Sequence, residues 1–359
     1  MDVRDLLRVF PDLDDGSGLV PAADLPMSVL SGGLINETWA LGQRHVLQRL
    51  HRIFRPDVNR DIAALVPHLL SGGVPVPSLI PTRAGEPGIV VEDGPAAGTW
   101  RLMTRVPGVG RPRLAAARDA EAAGRMVARF HTALIGVRHT FAFTRPGVHD
   151  TVAHIAKAVR ACDDPAFASH PLRDDVLTVV SELDVRFGRW GAIPRLPTRL
   201  IHGDLKVSNL LWSETAPAEV TGVVDLDTMA NDGLDVELGD ALRSWCNVAA
   251  EDELVPRFSL DVHALALRGY LSVAAPWITS PEVGALAAAT ERIALELAAR
   301  FAADALQESY FGWDPERYPS RGAHNLARAR GQLSLARVLA DHRPVLERNV
   351  TDASRALAG

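Results

Sequence analysis

Between Leu200 and Trp212 the sequence reads LIHGDLKVSNLLW, which places His202, Asp204, Lys206 and Asn209 on one short connection between apolar runs. A few residues further on comes VTGVVDLDTM, in which Asp225 and Asp227 end a run that is β-branched except for Gly222. Side chains of these types can do two kinds of chemistry. Asp204 can accept a proton from an attacking hydroxyl. Asn209, Asp225 and Asp227 offer hard oxygen ligands of the kind that suit Mg²⁺, an ion that takes one or two protein carboxylates plus substrate phosphates and keeps several waters. An Asp-rich strand end can equally cap a turn, so a lone D-x-D says little. H-G-D-x-K-x-S-N followed after a turn by V-V-D-L-D is far more specific.

Elements must hold these residues in place. The apolar flanks read as buried strands and the polar insert as a loop at their ends. Two adjacent strands are therefore expected to bring Asp204, Asn209 and Asp225 to one end of a sheet. Asp225 and Asp227 would share a face if the extended geometry persists. Upstream, MSVLSGGLINETWAL, RHVLQRL, GIVVEDG and TWRLMTRV are strand candidates, and DVNRDIAALVPHLL reads as a helix with Ile62, Leu65, Val66 and Leu69 on one face. After Pro107-Gly108 the pattern turns helical, as in Met126, Val127, Phe130 and Leu134. The expected architecture is α+β and bilobal: a β-rich N-lobe over residues 1–105, and a mainly helical C-lobe over 106–359 that carries the polar loop.

Composition narrows the class. At 359 residues, 47% apolar and 23% charged, the chain is an ordinary globular protein long enough for two cores. Its net charge of -6 argues against a general nucleic-acid or membrane-surface binder, which needs a basic face. Cys162 and Cys246 stand far apart without metal spacing and read as reduced thiols. MDVRDLLRVF lacks the apolar stretch of a signal peptide, and no run is long enough to span a bilayer. A cytoplasmic monomer or homodimer is expected. The only lysines are Lys157 and Lys206, so the expected N-lobe contains none.

HGDLKVSNLL plus VVDLDT resembles the aminoglycoside phosphotransferase and choline kinase-like group, whose fold is that of protein kinases. GGLINETWAL, VLQRLHRIF, WRLM, VHDT, DLDTMANDGLDVELGDALR, RFAADALQESYF and HNLARARGQLSLAR further resemble the N-acetylhexosamine 1-kinase-like sugar kinases, in order along nearly the whole chain. The resemblance implies ATP and Mg²⁺, with Asp204 as catalytic aspartate, His202 shaping its loop and Lys206 near the transferred phosphoryl. It implies Asn209 and Asp225 as metal ligands, with Asp227 as a second acidic contact. Asp240 resembles the helix aspartate that braces the catalytic loop through its backbone amides, although such a residue can also simply cap its own helix. Gly32 and Gly33 would cover the phosphates, and Met103 to Arg105 would read the adenine edge through backbone groups, with Trp100 and Arg101 marking the hinge.

One departure stands out. Kinases usually carry a lysine where this sequence has Gln48, paired to a helix glutamate. Gln48 can donate hydrogen bonds but brings no charge, and Arg49 points to the opposite strand face if the pleat is regular. Phosphate neutralisation must then lean on Mg²⁺, backbone amides, or an arginine or histidine such as His51, and an ion-pair role for Asp61 is left open.

For the acceptor, the resemblance offers His149, Asp150, Arg300 and Tyr310. An Asp and Arg set with an aromatic wall suits a sugar, and with 6% aromatic residues there is little material for a choline cage. The expected partner is a small-molecule acceptor, a sugar or amino sugar, phosphorylated at the anomeric hydroxyl of an N-acetylhexosamine or a relative. Two alternatives remain open. An aminoglycoside phosphotransferase would use the acidic run Asp225, Asp227, Asp232, Asp235 and Glu237, and a pseudokinase would hold nucleotide without transfer.

Overall fold

The computed structural model describes residues 2–16, 18–30, 35–190 and 193–355, so Gly32 and Gly33 lie outside the described residues. A β-sheet region lies toward the N-terminus and a helical region toward the C-terminus, the α+β class expected. The two compact units do not follow chain order, however. Met1–Arg111, Arg129–Thr144 and Asn209–Ala230 form the first, and Pro112–Ala128, Arg145–Ser208 and Asn231–Gly359 the second. The segment Asn209–Ala230, placed by sequence with the helical part, thus belongs with the β-rich unit.

In the first unit, α1 (Val3–Leu7) and a short hairpin, β1 (Leu13–Asp14) and β2 (Leu19–Val20), precede the main sheet. Its strands are β3 (Met27–Val29), β4 (Glu37–Leu41), β5 (His45–Arg49), β6 (Leu79–Ile80), β7 (Ile89–Val91) and β8 (Gly98–Thr104). They are antiparallel in the order β3-β4-β5-β8-β6, with β7 also on β8. The β5–β8 register sets Leu47 opposite Leu102, Gln48 opposite Arg101 and Arg49 opposite Trp100. Because side chains alternate, this register sorts the sheet into two faces.

Leu41, Leu47, Trp100 and Leu102 lie on one face, joined in a core by Leu6, Leu7, Phe10 and Leu25 from the N-terminal segment. Fully burying such side chains stabilises by about 1.5–3 kcal/mol each, which is why this short segment has a fixed place. Arg49 is on this face, its guanidinium 5.7 Å from the Trp100 ring centroid. Thr38, Gln48, Arg101 and Met103 belong to the other face. Helix α2 (Val58–Ser71) buries Ile62, Leu65, Val66 and Leu69, as its spacing predicts.

A second sheet of this unit has the order β12-β11-β9, from β9 (Val109–Gly110), β11 (Leu210–Trp212) and β12 (Val220–Val223). Gly222 is the gap in the β-branched run of β12 for a steric reason. A Cβ there would lie 2.7 Å from the Pro75 carbonyl oxygen and 2.6 Å from Val106, while the next amide, Val223, donates to Pro75 at 3.0 Å. Only a glycine lets that backbone approach so closely.

Helix α3 (Asp119–Leu134) gives its first part to the second unit and its end to the first. The second unit is built on α4 (Thr151–Asp163), α5 (Arg173–Gly188), α6 (Leu234–Cys246), α7 (Leu260–Ala274), α8 (Ser280–Gln307), α9 (Arg321–Asp341) and α10 (Arg343–Arg355). Helix α8 starts at a capping box between Thr279 and Glu282 and is buried along most of its length. Its many alanines allow neighbours on several sides. Strand β10 (Arg199–Ile201) pairs with β13 (Ala230–Asp232) and not with the β11–β12 hairpin. The expectation that one sheet end carries Asp204, Asn209 and Asp225 is therefore corrected: the strand before Asp204 belongs to a different sheet.

Candidate active site

The polar loop after β10 is organised inside the second unit by α6. Gly203 adopts φ +79°, the left-handed region open to glycine, so the chain reverses sharply between His202 and Asp204. The amides of His202 and Gly203 both donate to the Glu237 carboxylate, each at 2.8 Å. Glu237 is 2% exposed. His202 is fully buried, and its Nδ1 accepts the Asp204 N–H at 3.3 Å. Trp245 Nε1 donates to the Leu205 carbonyl at 2.7 Å. The loop backbone is thus fixed on two sides, and Asp204 is left half-buried with Lys206 Nζ 2.7 Å from its Oδ2.

The brace expected from Asp240 is made instead by Glu237, which precedes it by one helical turn. Residues three apart share a helix face, so the sequence located the face but not the residue. Asp240 instead pairs with Arg243, accepting from Nη2 at 3.0 Å.

Inside the first unit, Asn209 and Asp225 flank the end of the β11–β12 ladder, where Val224 N–H donates to the Asn209 carbonyl at 2.9 Å. The ladder stops at Val223 and Asp225 turns left-handed, φ 68° and ψ 55°. A non-glycine residue held there is strained, which is a mark of functional loops. Leu226–Thr228 then forms a 3-10 turn. The extended run assumed for Asp225 and Asp227 therefore breaks, and the two do not act as a pair on one strand face.

Asp227 is 1% exposed, and its carboxylate is already committed. Arg101 Nη1 reaches Oδ1 at 2.5 Å, Arg101 Nη2 reaches Oδ2 at 2.9 Å, and Asn36 Nδ2 donates to Oδ2 at 2.7 Å. The second acidic metal contact expected of Asp227 is thus replaced by a buried ion pair. Among the described residues no group of three or more His, Cys, Asp or Glu side chains is placed to hold a metal ion. One amide oxygen and one carboxylate, from Asn209 and Asp225, are a donor set that fits an ion bound chiefly through substrate phosphates.

Gln48 faces Arg101 across the ladder and accepts from its Nε at 2.8 Å, while its own Nε2 donates to Thr38 Oγ1 at 3.0 Å. Arg101, expected only as a hinge marker, is the buried cation of this face. Asp61 pairs with His139 at 2.8 Å and accepts the amides of Ala142 and Phe143 at 2.8 and 2.9 Å. It anchors that segment and makes no ion pair with the Gln48 position. His51 donates its amide to Asn36 Oδ1 at 2.8 Å.

At the hinge, Met103 is buried within β8, the Thr104 amide donates to Ser78 at 2.9 Å, and the Arg105 amide donates to Arg44 at 2.7 Å. Those two amides are spent on the fold, so a part in reading a base edge would fall to the other backbone groups of this stretch.

The acceptor candidates all lie in the second unit but in different settings. His149 Nδ1 is 3.0 Å from Glu296, whose other oxygen accepts from Thr151 at 2.7 Å. Burial pulls the His149 pKa down, but the hydrogen bond and charge of Glu296, helped by Asp240 and Asp232, hold it above the ordinary value. Asp150 caps α4 by accepting the Ala153 amide at 2.9 Å. Arg300 stacks over Phe311 at 5.6 Å, and Tyr310 is 63% exposed. The loop that carries Tyr310 is held by Asp304, which accepts the amides of Ser309, Tyr310 and Phe311 at 2.9 Å and Asn325 Nδ2 at 2.8 Å. Asp304 escaped the sequence reading because nothing marks it among the alanines of α8.

The second unit thus holds a braced aspartate loop, and the first a strained aspartate after a β-hairpin and a buried cation on its sheet; the family match shows a phosphotransferase, and the solved neighbours show a protein kinase-like fold. Residues 27–275 match the phosphotransferase enzyme family, and the chain belongs to that family. Among solved structures it is similar to a choline/ethanolamine kinase family protein from Mesorhizobium loti, at 16% identity and TM-score 0.58, over 94% of this chain and 96% of that one. It is similar also to the amicoumacin kinase hAmiN in complex with AMP-PNP and Ca²⁺, at 13% identity and TM-score 0.61, over 92% of each chain. A GDP complex of wild-type aminoglycoside 2'-phosphotransferase-IIIa matches at 16% identity and TM-score 0.53, over 85% of this chain and 92% of that one. Among the described residues no helix is long and apolar enough to cross a membrane.

Proposed function

We propose that this phosphotransferase moves the γ-phosphoryl of ATP to a hydroxyl of a small sugar, the anomeric hydroxyl of an N-acetylhexosamine or a close relative. The observation that carries the kinase reading is the Asp204 loop, with its backbone pinned by Glu237 and its carboxylate beside Lys206. Asp204 orients the acceptor hydroxyl and takes its proton. Lys206 supplies positive charge where negative charge spreads in transfer. Asn209 and Asp225 would hold Mg²⁺, which neutralises the phosphates when bound.

The acidic run that would favour a polycationic acceptor is largely spoken for. Asp227 is tied to Arg101, Asp235 to Arg292, and Glu237 to loop amides. His149 is likewise engaged with Glu296 in the second unit. The committed carboxylates favour a neutral sugar over an aminoglycoside, and Arg300 offers a fork of donors to hydroxyls or an acetamido carbonyl. The solved neighbours include an aminoglycoside kinase, so that reading is the one to test against.

The test is a phosphorylation screen with ATP or GTP and Mg²⁺ over N-acetylhexosamines, hexoses, kanamycin-like compounds and choline. The expected product is acid-labile and has lost its reducing end, whereas a 6-phosphate keeps it. Phosphorylation of kanamycin-like compounds with no free sugar modified would replace this reading with the aminoglycoside one. Mg²⁺-dependent nucleotide binding without turnover on any acceptor would point to a pseudokinase.

A further inference from the structure

Most kinases place a lysine where this chain has Gln48, and the first unit holds no lysine at all. The charge has not been lost from the sheet. It has moved one strand across, from β5 to the directly opposite position on β8. Arg101 is 2% exposed, and a guanidinium has five N–H donors. Nε donates to Gln48 Oε1 at 2.8 Å, and Nη2 donates to the same oxygen and to Asp227 Oδ2. Nη1 donates to Asp227 Oδ1 and, at 3.3 Å, to Asn59 Oδ1 on α2. Every donor is therefore committed inside the protein, and none remains for a phosphate.

The anion at the other end, Asp227, lies two residues after Asp225, in the 3-10 turn that follows the left-handed residue. The same carboxylate takes Asn36 Nδ2, from the strand flank of the Gly-rich segment. Arg101 and Asp227 thus join β8, β5, α2, the residue preceding β4 and the Asp225 turn at one buried point. Burying both charges is costly, and such a pair is sustained only by close geometry and full hydrogen bonding, which this one has.

We propose that Arg101 is a positioning residue for the metal-binding turn: through Asp227 it holds Asp225 in its strained conformation, and it makes no contact with the nucleotide phosphates. The inference rests on the nucleotide- and Mg²⁺-binding reading above. Here the phosphates are left to Mg²⁺ and backbone amides, while the cation serves only the turn.

The experiment measures ADP affinity by calorimetry on the full chain, without metal and across a Mg²⁺ titration, with thermal melting alongside. Two variants are used. Arg101→Lys keeps the charge but cannot fork across both Asp227 oxygens and Gln48. Gln48→Glu keeps the packing and offers the guanidinium a rival carboxylate, so it remains informative if Arg101→Lys fails to fold. Loss of an outer partner of a metal ligand typically costs about 10- to 100-fold in metal affinity, and the half-saturating Mg²⁺ should rise by about that factor in either variant. Metal-free ADP affinity should stay within about twofold of wild type, because no phosphate contact is lost. A parallel fall in metal-free affinity for Arg101→Lys would make Arg101 a phosphate ligand and overturn the proposal. Unchanged half-saturating Mg²⁺ in the folded variants would reduce the pair to a packing device and overturn it equally. If wild type shows no Mg²⁺-dependent ADP binding, the kinase reading itself fails, a result distinct from both.

Discussion

Replacing Glu237 by glutamine tests whether the catalytic loop depends on a single carboxylate. In the native protein both Glu237 oxygens accept backbone amides, from His202 and Gly203, at 2.8 Å each, and the group is 2% exposed. Hydrogen bonds to a charged group contribute about 1.5–3 kcal/mol each, against about 1 kcal/mol for a neutral pair. Glutamine keeps one acceptor and turns its NH₂ toward the second amide, so one neutral bond survives and one amide is left facing a donor. The expected loss is about 2–5 kcal/mol. At about 2–4 °C per kcal/mol, the melting temperature should fall by roughly 4–20 °C. Loosening the turn at Gly203 also displaces Asp204, and misplacement by about 1 Å can cost on the order of 10²-fold in rate. The assays are thermal melting and steady-state kinetics, with kcat expected to fall and KM for nucleotide to change little. Asp240→Asn is the contrast: Arg243 keeps Glu251 at 3.2 Å, so the cost should be smaller. An unchanged melting temperature together with unchanged kcat for Glu237→Gln would refute the reasoning, since the amides would then be satisfied without the charge.

Asp204→Asn should lower kcat by about 10²–10⁴-fold while nucleotide affinity, measured directly, stays near wild type; an unchanged kcat would remove Asp204 from the mechanism. The raised pKa of His149 makes a pH prediction. A group whose folded pKa lies above its unfolded value near 6.5 stabilises fully below that value and loses the contribution as pH rises through the folded pKa. The melting difference between wild type and His149→Gln should therefore be largest below about pH 6.5 and shrink as the pH is raised above it. A difference independent of pH would show that the imidazolium does not bind Glu296 more tightly than the neutral ring does.

The candidate motif was legible because its residues are local. His202, Asp204, Lys206 and Asn209 sit on one connection, and a β-branched run ending in Asp225 marks a buried strand from composition alone. What escaped depends on register or on long-range pairing. Nothing in RHVLQRL or TWRLMTRV states that Gln48 will face Arg101; that follows only from the observed pairing of β5 with β8. The assumption that Asp225 and Asp227 share a face failed at one dihedral, because a single left-handed residue resets the alternation. Glu237 and Asp240 were indistinguishable because both are acidic on the same face of α6, and the choice between them is made by the height of the Gly203 turn. The N-terminal segment did carry a signal: Val3, Leu6, Leu7 and Phe10 fall at helical spacing, and Leu6, Leu7 and Phe10 are buried.

The discontinuity of the β-rich unit bears on how the chain acquires its structure. Asn209–Ala230 completes that unit but is translated only after Arg145–Ser208, which belongs to the other. Until then, a nascent Met1–Arg111 has Arg101 destined for burial but not Asp227, the carboxylate that neutralises it. A guanidinium without its counter-ion resists burial, so the sheet face that carries Arg101 is expected to order only once Asp227 is available. A gene fragment ending near residue 111 would keep the opposite face, with its Leu47, Trp100 and Leu102 core, but leave Arg101 without its carboxylate.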